Sequence, residues 1–207
     1  FAYLIKQRFI DRDVLSHFAH EKLIYEDKEY HNVVFVGLDE KGIARHAHKR
    51  GTYTQGEPYK GNVEGSDPRY SFHWIGKSSK LYVFEAPVDM LSFITLHLKD
   101  WKEHSYVTLD GVSEHALLQQ LRQNPHLNEV VLCLDHDEAG IEAAGRLKGI
   151  LLENGYTNTA IMQSTYKDWN EDLKAKHGVE PIPSEEHPKL ILLPQVCAVL
   201  PDLCEAL

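Results

Sequence analysis

The chain has 207 residues, enough for one large or two small domains with a buried core. With 43% apolar and 26% charged residues it has an ordinary globular composition. No apolar stretch approaches the ~20 residues of a membrane-spanning helix and no secretory signal opens the chain, so no membrane partner is expected. A net charge of −9 argues against indiscriminate binding to nucleic acid.

The charge is unevenly spread. Residues 41–80 carry eight basic side chains (Lys41, Arg45, Lys49, Arg50, Lys60, Arg69, Lys77, Lys80) against three acidic ones (Glu57, Glu64, Asp67), which makes this segment +5 and the remainder −14. One basic face beside an acidic site would produce that asymmetry, as would a loop with ordinary surface charge. The three cysteines, Cys133, Cys197 and Cys204, lack C-x-x-C spacing. A reducing, cytoplasmic setting is therefore expected. The chain begins at Phe1, not Met, and reads as a region of a longer protein.

In chain order, Asp11 can cap a helix that runs to about Leu23, with Val14, Leu15, Phe18 and Leu23 on its apolar stripe. Strands follow at 31–38 and 42–49, joined by the turn Asp39-Glu40-Lys41-Gly42. Residues 50–70, rich in Gly, Pro and Tyr, read as a long functional loop, and a short strand at 71–75 closes this part. From Lys80 the rhythm becomes β-α-β-α-β-α-β. The strands are expected at 81–85, 105–109, 129–135 and 158–163, and the helices at about 88–100, 113–123, 137–153 and 169–176. Continuously apolar strands such as Val130 to Leu134 suit a mostly parallel sheet buried on both faces. The expected fold class is α/β, in three parts: a small basic α+β domain (1–76), a sheet domain flanked by helices (77–180), and a tail (181–207) whose apolar runs are Leu190 to Leu193 and Val196 to Leu200.

Three carboxylates, Glu85, Asp135 and Asp137, fall at the ends of these strands, the edge where open α/β sheets bind ligands. If the strand stays extended, Asp135 and Asp137 point the same way. At about 5 Å they would repel by roughly 3 kcal/mol at an effective dielectric near 20, which a divalent cation removes. Alternatively, Asp135 ends a strand and Asp137 caps a helix. Pro87 suits a first helical turn, so Glu85 ends its strand. Asp89 can cap that helix, orient a metal's water or favour the helix dipole. After the last strand, Lys167 can meet a phosphate, and Asp168 can fix Lys167 or hold a metal's waters. Thr108-Leu109-Asp110-Gly111 reads as a plain turn or a phosphate-binding backbone. His46 and His48 alternate on a strand and could pair with His73 or His31 around zinc, although thirteen histidines make chance proximity the commoner cause.

The ordered set Glu85-Ala86-Pro87-Val88-Asp89, Asp135-His136-Asp137-Glu138-Ala139-Gly140 and Lys167-Asp168-Trp169-Asn170 resembles the Toprim domain over residues 80–177. Bacterial DNA primases, type IA and type II topoisomerases and small nucleases share that domain. The resemblance implies a Rossmann-like fold, with Glu85 as proton-transfer residue and metal ligand and with Asp135 and Asp137 as Mg²⁺ ligands, Mn²⁺ being able to substitute. Asp89 and Asp168, by their positions, are the candidates to support the metal's surroundings. The Asp-x-Asp-x-Ala-Gly and Lys-Asp-x-Asn segments look most like primases and primase-like proteins of plasmids, phages and conjugative elements. Residues 3–8 and 35–51 are similar to the uncharacterised domain that precedes Toprim in such proteins. Lys49 and Arg50, with Lys167, are then the candidates for nucleic-acid or triphosphate contact. Expected partners are single-stranded DNA or nucleoside triphosphates, and a relaxase or helicase of the same element. Departures are Ala86, where primases usually have Gly, and His136, where some relatives have an acid. Primase-type nucleotidyl transfer, Toprim-type cleavage and binding without turnover all remain open at this point.

Overall fold

A computed structural model describes residues 1–53 and 59–185; the apolar runs of the predicted tail lie outside them. The chain opens with a five-residue helix, α1 (Ala2–Lys6), too short to leave a periodic signature. In α2 (Arg12–His20), the Asp11 carboxylate accepts the N–H groups of Asp13 and Val14, satisfying two donors that a helix start leaves open. Val14, Leu15 and Phe18 are buried, as the stripe predicts.

An antiparallel sheet follows, ordered β1 (Ile24–Glu26), β2 (Val33–Leu38), β3 (Ala44–Arg50), β4 (Lys60–Asn62). The β2–β3 turn is built on Asp39, whose Oδ1 accepts the N–H groups of Lys41 and Ile43. A Cβ on Gly37 would stand 1.5 Å from the Tyr70 carbonyl oxygen, so only glycine lets β2 pass that chain. The region read as a long loop contains β4 and a 3₁₀ turn at Pro68–Tyr70, elements too short for the residue pattern to show.

The second sheet has the order β5-β7-β6-β8-β9, with β5 (His73–Trp74), β6 (Lys80–Phe84), β7 (Ser105–Thr108), β8 (Glu129–Leu132) and β9 (Thr159–Ile161). All its pairs are parallel except β5–β7. The strand read as closing the N-terminal part is thus an antiparallel edge of the parallel sheet. Helices α3 (Pro87–Leu96), α4 (His115–Gln123), α5 (Glu138–Glu153) and α6 (Trp169–Lys176) follow in sequence.

Period-two alternation divides the core. Leu81, Val83, Val130 and Leu132 pack with Leu117, Leu121, Leu147 and Leu151 of α4 and α5. Phe84, Val131 and Cys133 face the other way, onto α2, α3, Phe35 of β2 and Trp169 of α6. Both faces are covered, as continuously apolar strands require. Among the described residues, no helix is long and apolar enough to cross a membrane.

Candidate functional site

Strands β6 and β8 are neighbours, with Val83 opposite Leu132, so the turns that leave them meet at one sheet edge. Glu85 comes directly after β6, and its Oε1 accepts the Asp135 N–H at 3.3 Å. The Gly111 N–H, in the turn after β7, donates to the Glu85 carbonyl at 3.2 Å. The paired strand β8 stops at Leu132, so Asp135 and Asp137 stand in the segment that leads into α5, with Asp137 still in extended backbone. Asp137 is the N-cap of α5: its Oδ1 accepts the Gly140 N–H at 3.0 Å, and its Oδ2 lies 3.4 Å from Lys167 Nζ. Of the two uses expected for that carboxylate the cap is formed, while its other oxygen is paired with Lys167 and Asp137 is not among the residues that line the cavity.

The third motif reaches the same edge. Asp168 caps α6 by accepting the Glu171 N–H at 2.8 Å, while the Lys167 carbonyl accepts the His136 N–H at 2.7 Å. Asp89 is buried in α3 and accepts the Asn170 N–H at 3.3 Å. The His136 ring is tied by Nδ1 to the Ser164 carbonyl.

Around these groups lies a cavity of about 290 Å³, lined by the acids Glu85, Asp89, Asp110, Asp135 and Asp168 and by the cations Arg8, Arg50, Lys60 and Lys167. Burial and crowding of like charge resist ionisation here. Burial, reinforced by Glu85, Asp168 and Asp137, pushes the Asp135 carboxyl up to about 8. Glu85 is raised by burial and by Asp137. Burial lifts Asp89 well above the usual carboxylate range, with Asp168 and Asp135 adding to it.

Asp135 Oδ1 is buried without a hydrogen-bond donor, as expected of an oxygen that awaits a cation. The donor set is all hard oxygen, which fits Mg²⁺ or Mn²⁺. Among the described residues, no three His, Cys, Asp or Glu side chains close on one ion. That is compatible with Mg²⁺, which keeps several waters and commonly uses one or two carboxylates together with substrate phosphates.

The structure separates the two basic residues singled out on β3. Arg50 lines the cavity, but Lys49, one residue away and on the opposite side of the strand, pairs with Asp27 at 3.3 Å and lines another groove with Tyr30, Tyr53 and Tyr59. Three charged lining residues are not among the site residues that the sequence singles out. Lys60 enters because β4 pairs it with Arg50. Arg8 arrives from the N-terminal segment, with no local signal. Asp110, in the turn expected to be plain or to bind phosphate through its backbone, takes a left-handed φ of 51°, and its buried side chain has Oδ2 3.5 Å from His46 Nε2. His46 thus faces a carboxylate, His48 Nδ1 bonds to Asn62 Oδ1 at 2.7 Å with Asp110 4.0 Å away, and His73 Nδ1 bonds to the Ser71 carbonyl.

Residues 82–173 match the family model described as Toprim-like, and residues 2–78 match the one described as Protein of unknown function (DUF3991). An uncharacterized protein of Bacillus anthracis is 26% identical over 193 residues, covering 83% of this chain and 56% of that protein. The DNA primase of Mycoplasma pneumoniae is 30% identical over 138 residues, covering 64% of this chain and 21% of the primase. The chain thus spans about half the length of the first relative and a fifth of the second. Among solved structures, the primase fragment of the bacteriophage T7 primase-helicase protein superposes with a TM-score of 0.62 at 17% identity, over 83% of this chain and 68% of that chain. The E. coli primase catalytic core gives 0.55 at 13% identity, over 86% and 72%. At such identities the likeness is one of fold.

Proposed function

We propose that this chain, a Toprim-like domain preceded by a DUF3991 domain on a primase-like fold, is a Mg²⁺-dependent nucleotidyltransferase acting on single-stranded DNA. The observation that carries the reading is the cavity where buried carboxylates face four cations, two of them, Arg50 and Lys60, from the basic sheet. Carboxylates alone would serve cleavage equally well. Cations presented by the antiparallel sheet add a surface for a template or a triphosphate, and so favour synthesis.

Glu85, Asp135 and Asp137 would hold the metal, which when bound neutralises phosphate charge and makes an attacking hydroxyl more acidic. The chain's own residues do the rest. Arg50 and Lys60, opposite each other in the β3–β4 register, give phosphates a paired docking point. Lys167 neutralises Asp137 until a phosphate competes for it. Glu85, raised by burial, holds a proton more readily than an exposed carboxylate and suits transfer to or from the reacting oxygen. Its resemblance to mobile-element proteins suggests service in replication or transfer, beside a relaxase or helicase of the same element.

The test is turnover on single-stranded DNA with Mg²⁺ or Mn²⁺, with and without nucleotides. Labelled primers support the proposal, nucleotide-independent shortening replaces it with a nuclease, and binding alone leaves a docking module. Glu85→Gln should lower turnover by about 10³-fold with the circular dichroism spectrum unchanged; undiminished activity removes Glu85 from the mechanism. Arg50→Ala should weaken single-strand binding and reduce the log–log salt slope by about 1. Lys49→Ala, outside the cavity, should have the smaller effect, and equal slopes in both variants would show that the cavity is not where the strand binds.

A further inference from the structure

The segment ahead of α2 reaches the cavity through a reciprocal contact with the third motif. After α1 the chain doubles back, with the N–H groups of Gln7 and Arg8 both reaching the Tyr3 carbonyl. Phe9 then takes a left-handed φ of 58°, a conformation that a non-glycine residue holds only when its surroundings impose it. Contacts on either side do so. The Phe9 ring stacks on His177, just past α6, with centroids 4.6 Å apart and planes 11° apart. Arg8 Nε donates to Tyr3 Oη at 2.8 Å, and Nη1 donates to Asn170 Oδ1 at 2.9 Å. Asn170 returns the contact: its Nδ2 donates to the Arg8 carbonyl and to Ser92 Oγ, each at 2.9 Å. Asn170 is 2% exposed, so these bonds form out of competition with water.

Asn170 stands in the first turn of α6, two residues after Asp168 and three after Lys167. Its amide oxygen and nitrogen are both engaged by Arg8, and its N–H by Asp89. We propose that Arg8 is a positioning residue of the cavity: by gripping Asn170 it sets the first turn of α6, and with it where Lys167 and Asp168 stand beside Asp137 and Asp135. The inference rests on that cavity being the reactive site. Arginine is required because its rigid fork bonds Tyr3 and Asn170 at once, which a lysine ammonium on a flexible stem cannot reproduce. Charge alone is therefore not the property at work.

The experiment compares Arg8→Lys and Arg8→Gln in the full chain, reading nucleotide incorporation and amide hydrogen exchange. Both variants should lose about 10²-fold in kcat, the scale of a small misplacement in a reactive site, with KM for nucleotide within about threefold of the parent. Exchange should quicken at the Glu171 N–H, which bonds to Asp168, and at the His136 N–H, which bonds to Lys167, while the amides of α5 keep their protection. Parental kcat in Arg8→Lys would overturn the proposal, as would quickened exchange spread evenly over α3, α5 and the sheet, since that marks general fold support. If the parent protein incorporates no nucleotide, the nucleotidyltransferase reading fails. The exchange pattern still decides whether Arg8 places the turn: local quickening sustains it and an unchanged turn overturns it.

Discussion

Asp135→Asn will stabilise the metal-free protein while abolishing the metal-dependent turnover proposed for it. The Asp135 carboxyl is pushed from its ordinary 3.8 up to about 8, first by burial and then by Glu85, Asp168 and Asp137. Between those values the folded state binds more protons than the unfolded chain, so stability is fully present below 3.8 and is lost as pH rises through about 8. Asn keeps the shape and removes the titration. At pH 8 the variant should gain about 2 kcal/mol, typical of a residue kept for function at the expense of stability, or roughly 5 °C in Tm. Calorimetry of the metal-free proteins at pH 5, 7 and 9 should show the parent declining and the variant flatter. Mg²⁺ should raise the parent's Tm and leave that of the variant unmoved, because a ligand stabilises only the state that binds it. An Asn variant less stable than the parent at pH 8 would mean that Asp135 is satisfied by contacts other than a cation.

Gly140→Ala has the second large effect, with the opposite sign for stability. A Cβ there would stand 2.1 Å from the Asp135 carbonyl oxygen and 2.8 Å from Glu85 Oε1. A backbone oxygen cannot step aside, so α5 must shift away from the sheet edge or the Asp135 turn must open. The expected cost is about 1–3 kcal/mol in stability, the range for overpacking a tight site. Turnover should fall about 10²-fold, since the shift moves Asp135 and Glu85 relative to each other. Gly145, in the same helix, has open space where its Cβ would go. Gly145→Ala should therefore stabilise by about 0.5–1 kcal/mol through helix propensity alone. Equal Tm values for the two alanine variants would show that the close approach at Gly140 is not maintained in solution.

The likeness to T7 and E. coli primase fragments covers most of the chain, yet the cavity combines groups that no single motif contains. Glu85 and Asp135 were legible because each follows a strand whose apolar pattern is strong, and Asp168 because it stands in the Lys167-Asp168-Trp169-Asn170 motif. Lys49 and Arg50 looked equivalent as neighbours in a basic run. Strand alternation sends one into the cavity and the other to Asp27, and which goes where depends on the face that packs inward. His46 and His48 suggested a metal pair. Instead His48 bonds to Asn62, and the carboxylate beside both rings is Asp110, distant in the chain and brought near by the packing of β3 against the turn after β7.

The amino-acid order by itself determined the local chemistry: apolar strands followed by acids, the helix caps Asp11 and Asp137, and a helix over residues 169–176. Capping and periodicity act over a few residues, so they can be read without knowing what lies across the molecule. Tertiary structure alone decided that Arg8, Lys60 and Asp110 share one cavity, that β5 joins the parallel sheet, and that Lys49 turns away. Those outcomes follow from register and from contacts between residues far apart in the chain, where the free energy belongs to the pair and neither partner announces it alone.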